Sequence, residues 1–184
     1  MELIDYVAQG FGIVGMVFNI LVFQQKKQKN VLLFQLFAAV SFGINYFMLG
    51  AVMGGLLNVV GSLRSIIYLF EKKTRANSVV WFIIFIVLFS SSYPLTFLVF
   101  GTEPTLGNFI IEALPVLAMI TATLAIRLGT SKMVRRLGLI SSPLWLTYNC
   151  FSGSIGAISS EVLNLISIIV GIIRLDLRKK KSKK

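Results

Sequence analysis

At 184 residues, 56% hydrophobic and only 14% charged, the chain is too apolar for an ordinary soluble domain. Its net charge of +11 invites a nucleic-acid reading, but the basic residues flank apolar runs instead of striping one polar face, so no nucleic-acid partner is expected. With a single cysteine, Cys150, and no histidine, the chain lacks an intramolecular disulfide, the usual metal ligands and the commonest general base; neither an enzyme nor a bound cofactor is expected.

In chain order, the first apolar run covers about Tyr6 to Phe23. It follows an acidic start, MELIDY, where a secretory signal would be basic, and no small-residue cleavage site comes after it. It is therefore read as a retained helix. Further runs cover about Val31 to Leu49, Val52 to Phe70, Val79 to Phe100, Asn108 to Ile126, Val134 to Phe151 and Ile155 to Leu175. Most hold roughly 18 to 22 residues, enough for a hydrocarbon core about 30 Å thick at about 1.5 Å per residue. These are continuous apolar runs without period-two alternation, which excludes a β-barrel.

All but Arg64 of the 18 Lys and Arg residues fall in four clusters between these runs. The clusters are Lys26/Lys27/Lys29, Lys72/Lys73/Arg75, Arg127/Lys132/Arg135/Arg136, and Arg174 with Arg178 to Lys184. The hairpins near Gly50, Glu103 and Gly153 carry none. Positive loops stay in the cytoplasm, so the expected fold is an all-α membrane protein of seven transmembrane helices, N-terminus outside and C-terminus cytoplasmic. The basic tail would lie against anionic lipid headgroups.

An internal repeat overlays the first three spans on the last three. A shift of 103 residues lays Gly50 on Gly153, Val31 on Val134, Gln9 on Glu112 and Asn58 on Glu161. A shift of 106 instead pairs Leu57-Asn58 with Leu163-Asn164, leaving both registers open. Both halves begin outside and end inside, with one span between them. The expected organisation is a single bundle made of residues 1–73, a linker helix in 74–104, a second three-helix unit in 105–176 and a basic tail, 177–184.

The run Asn149-Cys-Phe-Ser-Gly-Ser-Ile-Gly156, with Glu161 and Ile172-Ile-Arg174 after it, resembles the YgjV family of small bacterial inner-membrane proteins. So do Leu114-Pro115-Val116, Leu57-Asn58 with Arg64, and Ala8-Gln9-Gly10, and the similarity extends over essentially the whole chain. The resemblance implies a bacterial inner-membrane location and carries no catalytic residues. The three-plus-one-plus-three plan with parallel repeats is similar to that of SWEET-type transporters. The Pro-Gln pair of the PQ-loop proteins is absent; Gln24-Gln25 and Arg127-Leu128 stand in its place.

Ionisable groups within a span call for a reason to be there. Glu161 lies about 9 Å into its span, as does Asn58 in the third, and Asn164 follows Glu161 on the same helical face. These three form the expected polar girdle for a small neutral or cationic solute, with Glu161 able to take up a proton or cation. Arg64 either snorkels to the cytoplasmic headgroups or pairs with Glu161 or a substrate anion. Glu112, near the outer end of the fifth span, either complements the helix dipole or, with Gln9, acts as a gate. Pro94, Pro115 and Pro143 are expected to interrupt their helices, Pro115 at the gate. The sixth span reads as short, with Trp145 and Tyr148 near its outer end as site residues or interfacial anchors, and Asn45-Tyr46 matching them in the second span. Glycines 10, 12, 15, 50 and 54 suit close helix packing or dimerisation, and a homodimer stays open. The function expected is small-solute transport by alternating access; the alternative is a non-transporting membrane subunit whose polar residues only fix packing.

Overall fold

The computed structural model describes residues 3–152 and 155–177. The Gly153–Ser154 hairpin, Met1, Glu2 and the tail of residues 178–184 lie outside the described residues. Every regular element described is helical: α1 (Leu3–Phe23), α2 (Gln28–Met48), α3 (Val52–Leu69), the single turn α4 (Glu71–Thr74), α5 (Val79–Leu98), α6 (Leu106–Arg127), α7 (Ser131–Ser152) and α8 (Ile155–Gly171). A π-helical turn, Ile172–Leu177, continues α8.

The connections are set by backbone chemistry. Gly50 between α2 and α3 and Gly129 between α6 and α7 take φ values of 72° and 70°, which a side chain would strain. Thr105 caps α6 by accepting from the Asn108 amide at 3.2 Å, and Thr130 does the same for the Met133 amide of α7. Such turns leave few residues between helices, so neighbours in sequence are neighbours in space.

Among the described residues, six helices are long and apolar enough to cross a membrane: α1, α2, α3, α5, α6 and α8 with its continuation. The helix α7 is as long as α6, at 22 residues, and so is not the short span expected. It begins inside the basic cluster with Lys132, Arg135 and Arg136 and later carries Ser141, Ser142, Thr147 and Asn149, which makes it the most polar of the long helices. The helices α5, α6 and α7 also run unbroken through Pro94, Pro115 and Pro143. The expected interruptions are absent because a proline in a packed bundle bends a helix without ending it when neighbouring groups take up the freed carbonyl.

The packing order is cyclic. The helix α1 packs on α2, α2 on α3, α3 on α6, α6 on α7, α7 on α8, and α8 back on α1. The helix α5 sits outside this ring, against α3 and α6, where Phe85 and Phe89 are fully buried beside Leu57, Val116 and Met119. Outward positions such as Ile13, Val17, Leu63, Ile83 and Ile169 are apolar and exposed, while Asn45, Ser65, Thr123, Asn149 and Asn164 are buried. Apolar outside and polar inside is the pattern of a bundle whose solvent is lipid.

Glycines set the tight crossings inside the ring. A Cβ at Gly12 would lie 3.1 Å from Asn45, one at Gly15 2.9 Å from the Phe42 ring, and one at Gly54 2.8 Å from the Tyr46 ring. Gly10 and Gly50 have nothing within 4 Å, so only part of each expected glycine motif serves packing, and that packing is within the chain.

Candidate functional site

The ring of six helices lines a cavity of about 110 Å³. Each of α1, α2, α3, α6, α7 and α8 contributes to its wall, and α5 contributes nothing. Of the predicted residues, Asn58, Arg64, Glu161, Asn164 and Trp145 line it. The wall also holds pairs separated by 103 in sequence: Asn19 and Ala122, Ala38 and Ser141, Ala39 and Ser142, Phe42 and Trp145, Tyr46 and Asn149, Asn58 and Glu161, Gly61 and Asn164. The Tyr46 hydroxyl donates to Asn149 Oδ1 at 3.0 Å, so one such pair is in direct contact.

Glu161 sits on α8 with 7% of its surface exposed. Ser142 and Asn164 lie beside its carboxylate, while its Oε2 and the Oδ1 of Asn164 have no partner among the described residues. On α3, Asn58 donates back to the Gly54 carbonyl at 2.8 Å, which holds its side chain along its own helix. Arg64, 4% exposed, neither snorkels nor pairs with Glu161. Its Nη1 donates to Thr123 Oγ1 at 2.8 Å and to the Met119 carbonyl at 3.3 Å, its guanidinium stands 5.6 Å from the Phe89 ring centre, and its Nε has no partner. A buried polar atom left without a partner costs about 1–3 kcal/mol. Several such atoms around one cavity mark a place where a bound species would restore hydrogen bonds.

Other predicted residues lie elsewhere. Asn45 does not line this cavity; its Nδ2 donates to the Ala8 carbonyl at 2.7 Å and clamps α1 to α2. Gln9 packs against Gly156 on α8, and Pro115 is buried outside both cavities. Gln9 and Glu112 are not brought together. Glu112 lines a second cavity of about 390 Å³, with Asn108, Thr102, Gly50 and Tyr148, at the ends of α2, α3, α5, α6 and α7. Tyr148 is buried at 3% exposure and so is no lipid-facing anchor. It faces the second cavity and meets Trp145 edge-on at 5.8 Å, and Trp145 stacks on Tyr46 at 6.3 Å. This aromatic set is the wall shared by the two cavities.

The residues that sequence reasoning missed form a polar latch at the opposite end of the ring. Gln24 at the end of α1 donates to the Ser167 carbonyl and hydroxyl at 2.8 and 2.9 Å, and that hydroxyl donates to the Ile20 carbonyl at 2.8 Å. Arg135 on α7 forms a bidentate pair with Asp176, at 2.5 and 3.0 Å, and also donates to the Gln25 and Phe23 carbonyls at 3.0 and 3.4 Å. Its cation thus caps the C-terminal end of α1 while holding α8's continuation. The one acidic residue inside the last basic segment was the available signal.

The Tyr46–Asn149 bond makes a modest test of the site's geometry. Tyr46→Phe is expected to lower stability by about 1 kcal/mol, the net value of one hydrogen bond, read as the thermal unfolding midpoint in detergent. A midpoint equal to wild type would mean that the bond is not made.

The model of a family described as Imp-YgjV, bacterial inner membrane protein, matches residues 6–179. No curated protein and no solved structure matches the chain.

Proposed function

The chain belongs to the Imp-YgjV family of bacterial inner membrane proteins, and from that premise we propose that it carries a small solute across the membrane by alternating access. All seven long helices cross the bilayer, α7 included, with the N-terminus outside and the C-terminus cytoplasmic. Residues 1–73 and 105–176 are the two three-helix units, 74–104 holds the linker helix α5, and 177–184 lies against anionic headgroups. The basic clusters support this orientation, since they fall at alternate connections.

The observation that carries the reading is the make-up of the central cavity. Seven pairs of its wall positions differ by 103, and the helix between the two units is the one long helix missing from it. That favours the shift of 103 over 106 and supports a site on the axis relating the two units, where transporters built from repeats place their solutes. In this mechanism the units rock about the cavity. The second cavity, with Glu112, serves as the outer vestibule; the Tyr46, Trp145 and Tyr148 set is the outer barrier, and the Gln24–Ser167 and Arg135–Asp176 contacts form the inner one.

The test needs no knowledge of the solute. In a Cys150→Ser background, which removes the exposed native thiol, Ala38→Cys and Ser141→Cys place probes at equivalent wall positions. A membrane-impermeant thiol reagent is expected to label both from either face of oriented vesicles. Labelling from one face alone, or from neither, would overturn alternating access and leave the non-transporting subunit.

A further inference from the structure

We propose that the central cavity selects a small zwitterion of the amino-acid type, its ammonium held by Glu161 and Asn164 and its carboxylate by Arg64. The inference rests on the transporter reading and adds to it the chemical class of the solute. One acidic and one basic residue, Glu161 and Arg64, line the same cavity and are not paired with each other. Glu161 lies six residues into α8 and Arg64 twelve into α3, a difference of about 9 Å along the helix axes for antiparallel-free, co-directional helices at about 1.5 Å per residue.

The open valences at the two charged residues have opposite character, and a further acceptor without a partner, Gln35 Oε1, belongs to the same wall. At the outer level they are acceptors, Glu161 Oε2 and Asn164 Oδ1, three residues apart on one face of α8. An ammonium, which only donates, satisfies both and neutralises the carboxylate. At the inner level both hydrogen bonds of Arg64 leave from Nη1, and its Nε has no partner. The edge that holds Nε is one of the two a guanidinium uses to grip a carboxylate in bidentate fashion. A neutral polyol would meet the amide groups yet leave both charges uncompensated in a low-dielectric site, and a simple amine or simple acid would leave one. Only a solute with both charges compensates both ends.

The full-length protein in detergent, tested by calorimetric titration with a matched panel, decides the matter. The panel is glycine, L-serine and 4-aminobutyrate, then propylamine, propionate and glycerol, which carry only the cation, only the anion and neither. Saturable binding of at least one zwitterion is expected, with the monopolar compounds and glycerol at least roughly tenfold weaker, the ratio set by about 1.4 kcal/mol for one lost charged contact. Glu161→Gln and Arg64→Lys, both close in size to the native residues, are each expected to weaken the zwitterion by a similar factor in protein whose unfolding midpoint stays cooperative. Glycerol or propylamine binding as tightly as the zwitterions would overturn the solute class while leaving alternating access in place. No binding by any zwitterion would also overturn it, and the cysteine labelling above then reports separately on transport.

Discussion

Arg135→Met is expected to destabilise the protein by about 3–5 kcal/mol, the range for removing one partner of a buried ion pair. The side chains of Arg135 and Asp176 are only 4% and 7% exposed, and their contact is bidentate. Removing the guanidinium strands the Asp176 carboxylate in the bundle and takes donors from the Phe23 and Gln25 carbonyls at the end of α1. The neighbouring Arg136→Met is the control, since Arg136 is exposed and its loss should stay within about 0.5 kcal/mol. Chemical or thermal unfolding in detergent compares the two. Equal effects would mean that the pair adds nothing. Replacing both partners, as in Arg135→Met with Asp176→Leu, should recover part of the loss, because no lone charge is then left buried.

Gly171→Val is the second large effect. A Cβ there would sit 2.6 Å from the Phe23 carbonyl oxygen and 2.8 Å from Arg135 Cδ. The first of these is backbone, which cannot rotate aside, so α1 and α8 must move apart at the seam that Gln24 and Ser167 also bridge. Overpacking of this kind typically costs about 1–3 kcal/mol, and a clash with backbone belongs at the upper end. Gly10→Val is the comparison: nothing lies within 4 Å of its Cβ position, and a change below about 1 kcal/mol is expected. Similar unfolding midpoints for the two variants would show that the α1–α8 seam is looser than described.

The helices were legible because a bilayer fixes their length and the basic clusters mark their ends. The runs at residues 6–23 and 52–70 end within one residue of α1 and α3 on the side away from the N-terminus. The helix α7 was read as starting at Val134, three residues late, since its first turn is basic; what places Arg135 inside the bundle is Asp176, which is distant in sequence. In the site, Asn58, Arg64, Glu161, Asn164 and Trp145 were recognisable as polar or amphipathic residues within apolar runs. Asn45 was misread because it adjoins Tyr46: consecutive helical residues point about 100° apart, and sequence does not say which faces the axis. The structure turns Tyr46 to the cavity and Asn45 to α1. Ser141 and Ser142 passed unnoticed since serine is common within membrane helices, where it bonds back to its own backbone.

The polarity of α7 has a consequence for how the chain is made. A segment of 22 residues that opens on Lys132, Arg135 and Arg136 and continues through serines, a threonine and an asparagine partitions poorly into lipid on its own as it leaves the ribosome. Its Asn149 and Arg135 side chains find partners on α2, at the end of α1 and on the continuation of α8, and the last of these is synthesised after it. On the seven-span arrangement proposed above, stable integration of α7 waits for α8, and a nascent chain stopped between the two should leave α7 extractable from the membrane while α1, α2 and α3 are already embedded.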